Sequence, residues 1–227
     1  MLLPLQAQPG GKDRPVVGLV LSGGSARGLS QIGVLKVLEE YGIRPDRISG
    51  LSMGGIIGAL YASGYSATEI DSIARSLDWV SLFDDELGIH QVVITEKDDH
   101  NNNMITLQFD MQHAPSLPMG LIKGQMINMK FAEVTWHTGG IDHFDSLAIP
   151  YSCYASDIIH GHLVEFREGD LKSAMRATMA IPSVFSPVVK DSMVFVDGGV
   201  LTNMPVQQME QLGADYIIGV YTGYMEQ

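Results

Sequence analysis

Arg47-Ile48-Ser49-Gly50-Leu51-Ser52-Met53-Gly54-Gly55-Ile56-Ile57-Gly58-Ala59 joins a short strand to a helix through a serine flanked by glycines. The strand is centred on Arg47 to Ser49, and the helix extends to about Ser63. At such a junction a G-x-S-x-G lifts the serine hydroxyl clear of the backbone, and its glycines let the chain pass close to its neighbours at a strained bend. Upstream, Val16 to Leu21 is a short apolar run bounded by turn residues, the signature of a buried strand. The loop Ser22 to Gly28 follows, and then Ile32, Val34, Leu35 and Leu38 recur at helical spacing as far as Gly42, a helix stop. Downstream, Thr68 with Asp71 three residues on predicts the N-terminal cap of a third helix ending near Trp79. Strand and helix alternate at short spacing, so the chain reads as α/β, a mostly parallel sheet with helices packed on it.

Further along, Val92 to Thr95 and Met104 to Phe109 read as strands around the polar turn Asp98 to Asn103, and Pro115 and Pro118 break the chain. A helix is expected from Gly120 to Trp136, with Met126 and Met129 on one side of it. Those two suit either core packing or a flexible acyl-chain channel. Tyr151 to Ala155 and Leu163 to Phe166 read as a strand pair, and Asp170 to Thr178 as a helix. Val194 to Val196 is a strand that ends on Asp197-Gly198-Gly199, and a last helix (Pro205 to Leu212) and strand (Tyr216 to Val220) close the chain. No repeat or linker divides residues 16–227, which read as one domain after a leader of residues 1–15.

The 227 residues are 45% hydrophobic and 18% charged, which excludes disorder and provides for a substantial core. One cysteine, Cys153, excludes a disulfide scaffold. With 26 acidic against 14 basic residues the net charge is −12, which argues against nucleic acid and against a polybasic patch for anionic lipid. The longest apolar run, Ile56 to Ala62, falls short of the ~18 residues of a membrane span. Met1-Leu2-Leu3-Pro4-Leu5-Gln6-Ala7-Gln8 has the look of the end of a secretory signal without its basic front, or equally of an unstructured leader.

Three features carry chemistry. Ser52 is a nucleophile or, more plainly, a helix N-cap, with Gly50 and Gly54 as its motif glycines. Asp197 ends a strand before Gly198 and Gly199, at the edge where α/β sheets place their sites, although Asp-Gly-Gly is also a plain turn. As a base it needs burial, because an ordinary carboxylate titrates near ~3.9. The loop Gly23-Gly24-Ser25-Ala26-Arg27-Gly28 is neither a P-loop nor a dinucleotide fingerprint, but it presents several backbone N–H groups together. Aimed at a tetrahedral intermediate they make an oxyanion hole, where one donor contributes ~10²–10³ in rate. A serine–acid–histidine order would have to draw on His160 or His162, because no histidine follows Asp197. As a pair two residues apart they suggest a metal site only weakly.

Taken together, these blocks resemble the patatin-like phospholipase family. Leu21 to Gly28 with Ile32-Gly33-Val34-Leu35 resembles its oxyanion loop and first helix, and Gly50 to Gly55 its nucleophile elbow. Ala180-Ile181-Pro182-Ser183-Val184-Phe185-Ser186-Pro187-Val188 resembles its proline-bearing stretch, and Val196 to Pro205 its aspartate motif. The resemblance spans Val16 to Val220 and implies a three-layer α/β/α sandwich with a mostly parallel sheet. It implies a serine lipid acyl hydrolase, of phospholipase A or esterase type, with a Ser52–Asp197 dyad. Backbone amides near Gly23, Gly24 and Ser25 would hold the oxyanion, with Arg27 beside them and Gly28 closing the loop. Neither metal nor organic cofactor is implied. The implied partner is a lipid or phospholipid acyl ester, reached with contact at a membrane surface.

Two positions depart from the family pattern. Ser25 replaces a third glycine, at a cost on the order of 1 kcal/mol if the site needs positive φ. Gln31 stands where many bacterial members carry histidine. The alternative is therefore a catalytically silent binding domain of the same fold, and the other competitor is an ordinary α/β-hydrolase using His160 or His162. The apolar leader and the stop just past a strand favour an exported protein, periplasmic or associated with the outer membrane, over a cytoplasmic one. Oligomeric state is left open.

Overall fold

A computed structural model describes residues 14–84 and 120–223. Strand β1 (Val17–Leu21) is followed by a 3-10 turn (Ser25–Ser30) and helix α1 (Gln31–Glu40). Strand β2 (Arg47–Leu51) leads through Ser52 into α2 (Met53–Ala62), then α3 (Ala67–Ser76) and the short α4 (Trp79–Asp84). After the gap come β3 (Gly120–Ile122), α5 (Gln125–Thr135), β4 (Tyr151–Asp157), β5 (His162–Phe166) and α6 (Leu171–Thr178). The chain ends with β6 (Ser183–Phe185), β7 (Val188–Lys190), β8 (Met193–Asp197), α7 (Val206–Gln211) and β9 (Tyr216–Val220).

The strands build a mixed sheet in which β9, β1, β2 and β4 are parallel neighbours, while β5, β8 and β7 join antiparallel. A separate pair, β3 with β6, lies outside it. The parallel centre has the apolar, doubly covered strands such sheets require: every residue of β4 is buried. Successive side chains of β1 face opposite layers. Leu19 and Leu21 enter the main core with Ile32 and Leu35 of α1 and Ile57 of α2. Gly18 faces the other way, where a Cβ would strike Met209 of α7. The result is the expected three-layer sandwich of helices on both faces of a largely parallel sheet.

Helix α2 sits closest to the sheet. Eight of its ten residues are buried, and its glycines and alanines keep it slim. Helix α3 begins two residues earlier than Thr68 and Asp71 suggested. Ser66 and Glu69 form the reciprocal capping box there, which satisfies two otherwise orphaned amides. The helix ends at Ser76, short of Trp79, which opens α4. The helix expected from Gly120 begins only at Gln125, because Gly120–Ile122 pairs with Ser183–Phe185 and Gly124 turns the chain at φ 78°. The strands expected at 92–95 and 104–109, their connecting turn, Pro115, Pro118 and the leader's first 13 residues lie outside the described residues. Among the described residues, no helix is long and apolar enough to cross a membrane.

Candidate active site

Strand β4 brings the two candidate side chains together. On one edge it pairs with β5 over Cys153 to Asp157. On the other edge it pairs first with β2, up to Leu51 opposite Tyr154, and then with β8, from Asp197 opposite Ala155. Because β2 runs parallel to β4 and β8 antiparallel, their C-terminal ends meet at adjacent β4 residues. Ser52 follows the first end and Asp197 closes the second. A Cβ on Gly198 would lie 2.7 Å from both Leu51 Cδ2 and the Tyr154 carbonyl, which shows how closely the two ends abut.

Ser52 stands at φ 52°, ψ −125°, a backbone conformation that few L-residues adopt. The surrounding glycines make it possible. A Cβ on Gly54 would come within 2.5 Å of the Leu21 and Ser22 carbonyl oxygens, and one on Gly50 would strike the Gly54 carbonyl. Ser52 is therefore lodged, nearly buried, at the N-terminus of α2, where the helix favours negative charge.

Asp197 is 6% exposed, and its Oδ1 accepts the Gly199 N–H at 2.7 Å. Burial pushes its carboxyl above the ordinary value, opposed by hydrogen bonds from the Ser52 hydroxyl and the Gly199 amide. A carboxylate raised in this way beside a serine is a better base than a solvated one.

The glycine-rich loop forms the facing wall. Its backbone departs from the expected donor set at one position: the Gly23 N–H already donates to the Asn203 carbonyl at 3.2 Å. Gly24 and Ser25 are left as amide donors beside Ser52. Ser25 is at φ 48°, so the position does require the left-handed region in which serine is strained. Gly28 packs on Met53, where a Cβ would lie 2.6 Å from that side chain. Arg27 is exposed at the mouth.

The loop is held from behind. Buried Gln31 donates from Nε2 to the Ser22 carbonyl at 2.7 Å and to Thr222 Oγ1 at 3.2 Å, and Thr222 N–H donates to Ser22 Oγ at 2.9 Å. A cavity of about 380 Å³ is lined by Gly24, Ser25, Ser52, Ile181, Pro182 and Asp197, with Arg27, Val200 and Asn203 at its margin.

Among the described residues, no histidine lines this cavity. His160 turns its Nδ1 to the buried Asp157 carboxylate, and the His162 ring lies tilted beside it with centroids 5.9 Å apart. The described residues contain no cluster of three or more metal-ligating side chains. Met129 is half exposed and lines a different cavity, of about 490 Å³, with Lys123, Lys172 and Arg176 between α5 and α6. The acyl-channel expectation for that methionine therefore does not lead to Ser52. Sequence reading passed over Thr178, Asn203 and Thr222. Their roles arise from contacts across the fold, and no local pattern marks them.

The fold defines a class, and comparison with known proteins agrees with it. The family model for patatin-like phospholipase matches residues 19–209, and the chain belongs to that family. Lysophospholipase NTE1 of Candida albicans is 27% identical over 210 residues, covering 92% of this chain and 13% of the fungal protein. An uncharacterised NTE family protein of Mycobacterium tuberculosis is 29% identical over 221 residues, covering 97% of this chain and 52% of its own length. This chain thus spans a small part of the fungal relative and about half of the mycobacterial one. The crystal structure of VipD from Legionella pneumophila shares the fold at a TM-score of 0.57 and 17% identity, over 91% of this chain and 49% of that one.

Proposed function

We propose that this chain hydrolyses acyl esters of lipids, as a serine hydrolase of phospholipase A or esterase type. The observation that carries the proposal is the meeting of Ser52 and a buried, hydrogen-bonded Asp197 beside the Gly24 and Ser25 amides. Ser52 Oγ attacks the acyl carbonyl while its proton passes to the Asp197 carboxylate. The two amides and the start of α2 stabilise the oxyanion. Asp197 returns the proton to the departing alcohol oxygen as the ester C–O bond breaks, leaving an acyl-serine. Water, deprotonated by Asp197, then releases the fatty acid and restores Ser52. The scheme calls on no metal or organic cofactor.

The lip of the cavity supports a lipid surface as the source of substrate. Val200 lines the cavity and is 53% exposed, and Val184 and Leu201, 38% and 49% exposed, follow closely in sequence on the lining residues Pro182 and Val200. No Asp, Glu, Lys or Arg occurs between Ala177 and Val189 or between Gly198 and Met209, in a chain of net charge −12. An apolar lip whose cation is Arg27 suits a neutral or zwitterionic bilayer, which an acidic protein approaches without repulsion.

The test is labelling with a fluorophosphonate probe together with turnover of a phosphatidylcholine or lysophosphatidylcholine substrate. Wild type is expected to label at Ser52. Ser52→Ala abolishes labelling, and Asp197→Asn lowers turnover by at least about 10³-fold. His162→Ala is expected to leave both unchanged. A wild-type chain that neither labels nor turns over ester would favour the catalytically silent domain instead.

A further inference from the structure

One rung of the sheet at the site is made by a side chain. Along the edge shared by β2 and β4, Ile48 N–H donates to the Pro150 carbonyl at 2.8 Å. Continued by two residues at a time, the same parallel ladder would carry Ser52 N–H to the Tyr154 carbonyl. Thr178 Oγ1 stands in that gap. It accepts Ser52 N–H at 3.0 Å and donates to the Tyr154 carbonyl at 2.6 Å. Thr178 is fully buried, and both bonds together fix the direction of its hydroxyl. Its methyl group packs on α2 at Gly55, where a Cβ would lie 2.8 Å away.

Two residues further on, the Ala180 carbonyl accepts Asp197 N–H at 2.8 Å. The three-residue stretch Thr178-Met179-Ala180, at the end of α6, therefore grips the backbone of both site residues, one through a side chain and the other through a carbonyl. A direct Ser52-to-Tyr154 rung would draw the elbow against β4, at the place where the end of β8 also sits. The interposed hydroxyl holds it at a set remove.

We infer that Thr178 is a positioning residue whose hydroxyl, as a spacer in the β2–β4 ladder, sets the separation of Ser52 from Asp197. This presupposes the Ser52–Asp197 chemistry proposed above. It has a consequence for ionisation as well as for rate. The Ser52 hydroxyl opposes the effect of burial on Asp197, so moving Ser52 away leaves burial less opposed and shifts the acid limb of activity to higher pH.

The experiment compares Thr178→Val, Thr178→Ala and Thr178→Ser with wild type on a soluble short-chain ester, with the pH profile of kcat/KM and the fluorophosphonate labelling rate. Circular dichroism and thermal midpoints check folding. For Thr178→Val, kcat and labelling rate are expected to fall by about 10- to 100-fold with KM nearly unchanged, the scale of a misplacement near 1 Å, and the acid limb to move up. Thr178→Ser, which keeps the hydroxyl, restores both rate and limb. Should the valine variant not fold, the alanine and serine variants carry the same contrast. A serine variant as impaired as the alanine or valine one, or a valine variant with wild-type kcat and acid limb, overturns the inference while leaving the hydrolase intact. An inert wild type overturns both.

Discussion

Asp197 is subject to opposing forces at the scale of one residue. In its proposed role as base it must be ionised, yet it is nearly buried, and burial disfavours the charge. Because its folded-state pKa lies above the unfolded value, ionisation of the folded protein destabilises it as pH rises from the unfolded value through the folded one. Asp197→Asn is therefore expected to raise the thermal midpoint at pH 7, with the gain shrinking as the pH is lowered towards about 4. Thermal melts of the two proteins across that range would check it. An asparagine variant less stable than wild type at pH 7 would mean that the hydrogen bonds from Ser52 and Gly199 outweigh the burial cost. Ser52 at φ 52° and Ser25 at φ 48° carry strain in the same few ångströms. Strain stored at a site is consistent with a function that the rest of the fold supports.

At the scale of an element, α2 determines how Ser52, the proposed nucleophile, is presented. Its first turn runs directly over the end of β1, and Gly54 is the point of closest approach. The atoms it faces are backbone carbonyl oxygens, which cannot swing aside as a side chain would. Gly54→Ala is expected to lower stability by about 1–3 kcal/mol, the usual range for overpacking, and to depress fluorophosphonate labelling further by displacing Ser52. Urea unfolding alongside labelling separates the two effects. The same closeness does not hold at Gly33, where a Cβ meets nothing within 4 Å, so Gly33→Ala serves as the matched control in a helix. For α3, local chemistry was misleading by two residues. Thr68 and Asp71 have the right spacing for a capping box, but Ser66 and Glu69 have it too, and the buried position of Ala67 favours the earlier start.

At the scale of the whole molecule, two stretches beside the cavity stand out as free of charge, Ala177 to Val189 and Gly198 to Met209. The chain has 26 acidic and 14 basic residues, but none of them falls in these stretches, which carry Val184, Val200 and Leu201. Val184 and Leu201 do not line the cavity itself. Replacing both with aspartate is expected to cut turnover of phosphatidylcholine vesicles by at least about tenfold, since each buried apolar side chain contributes ~1.5–3 kcal/mol at an interface. Hydrolysis of a soluble short-chain ester should change little. Equal losses on both substrates would mean that the lip shapes the cavity and does not dock a bilayer.

Much of this was legible in the residues alone, because it is local. The apolar run Val17–Leu21, the strand–serine–helix junction at Ser52, and the strand that delivers Asp197 each follow from short-range pattern and turn chemistry. The order of those blocks identified the family, and with it the fold. Nothing local marks Thr178, nor the Gly23 amide committed to Asn203, nor the short strands β6 and β7. Hydrogen-bond partners more than a hundred residues apart depend on which strands share an edge, and that is settled by packing of the whole sheet. The sequence by itself determined which side chains are candidates for the proposed chemistry. Tertiary structure decided how they come together, through two strand ends meeting on one edge of β4, the first tied to that strand by a threonine hydroxyl.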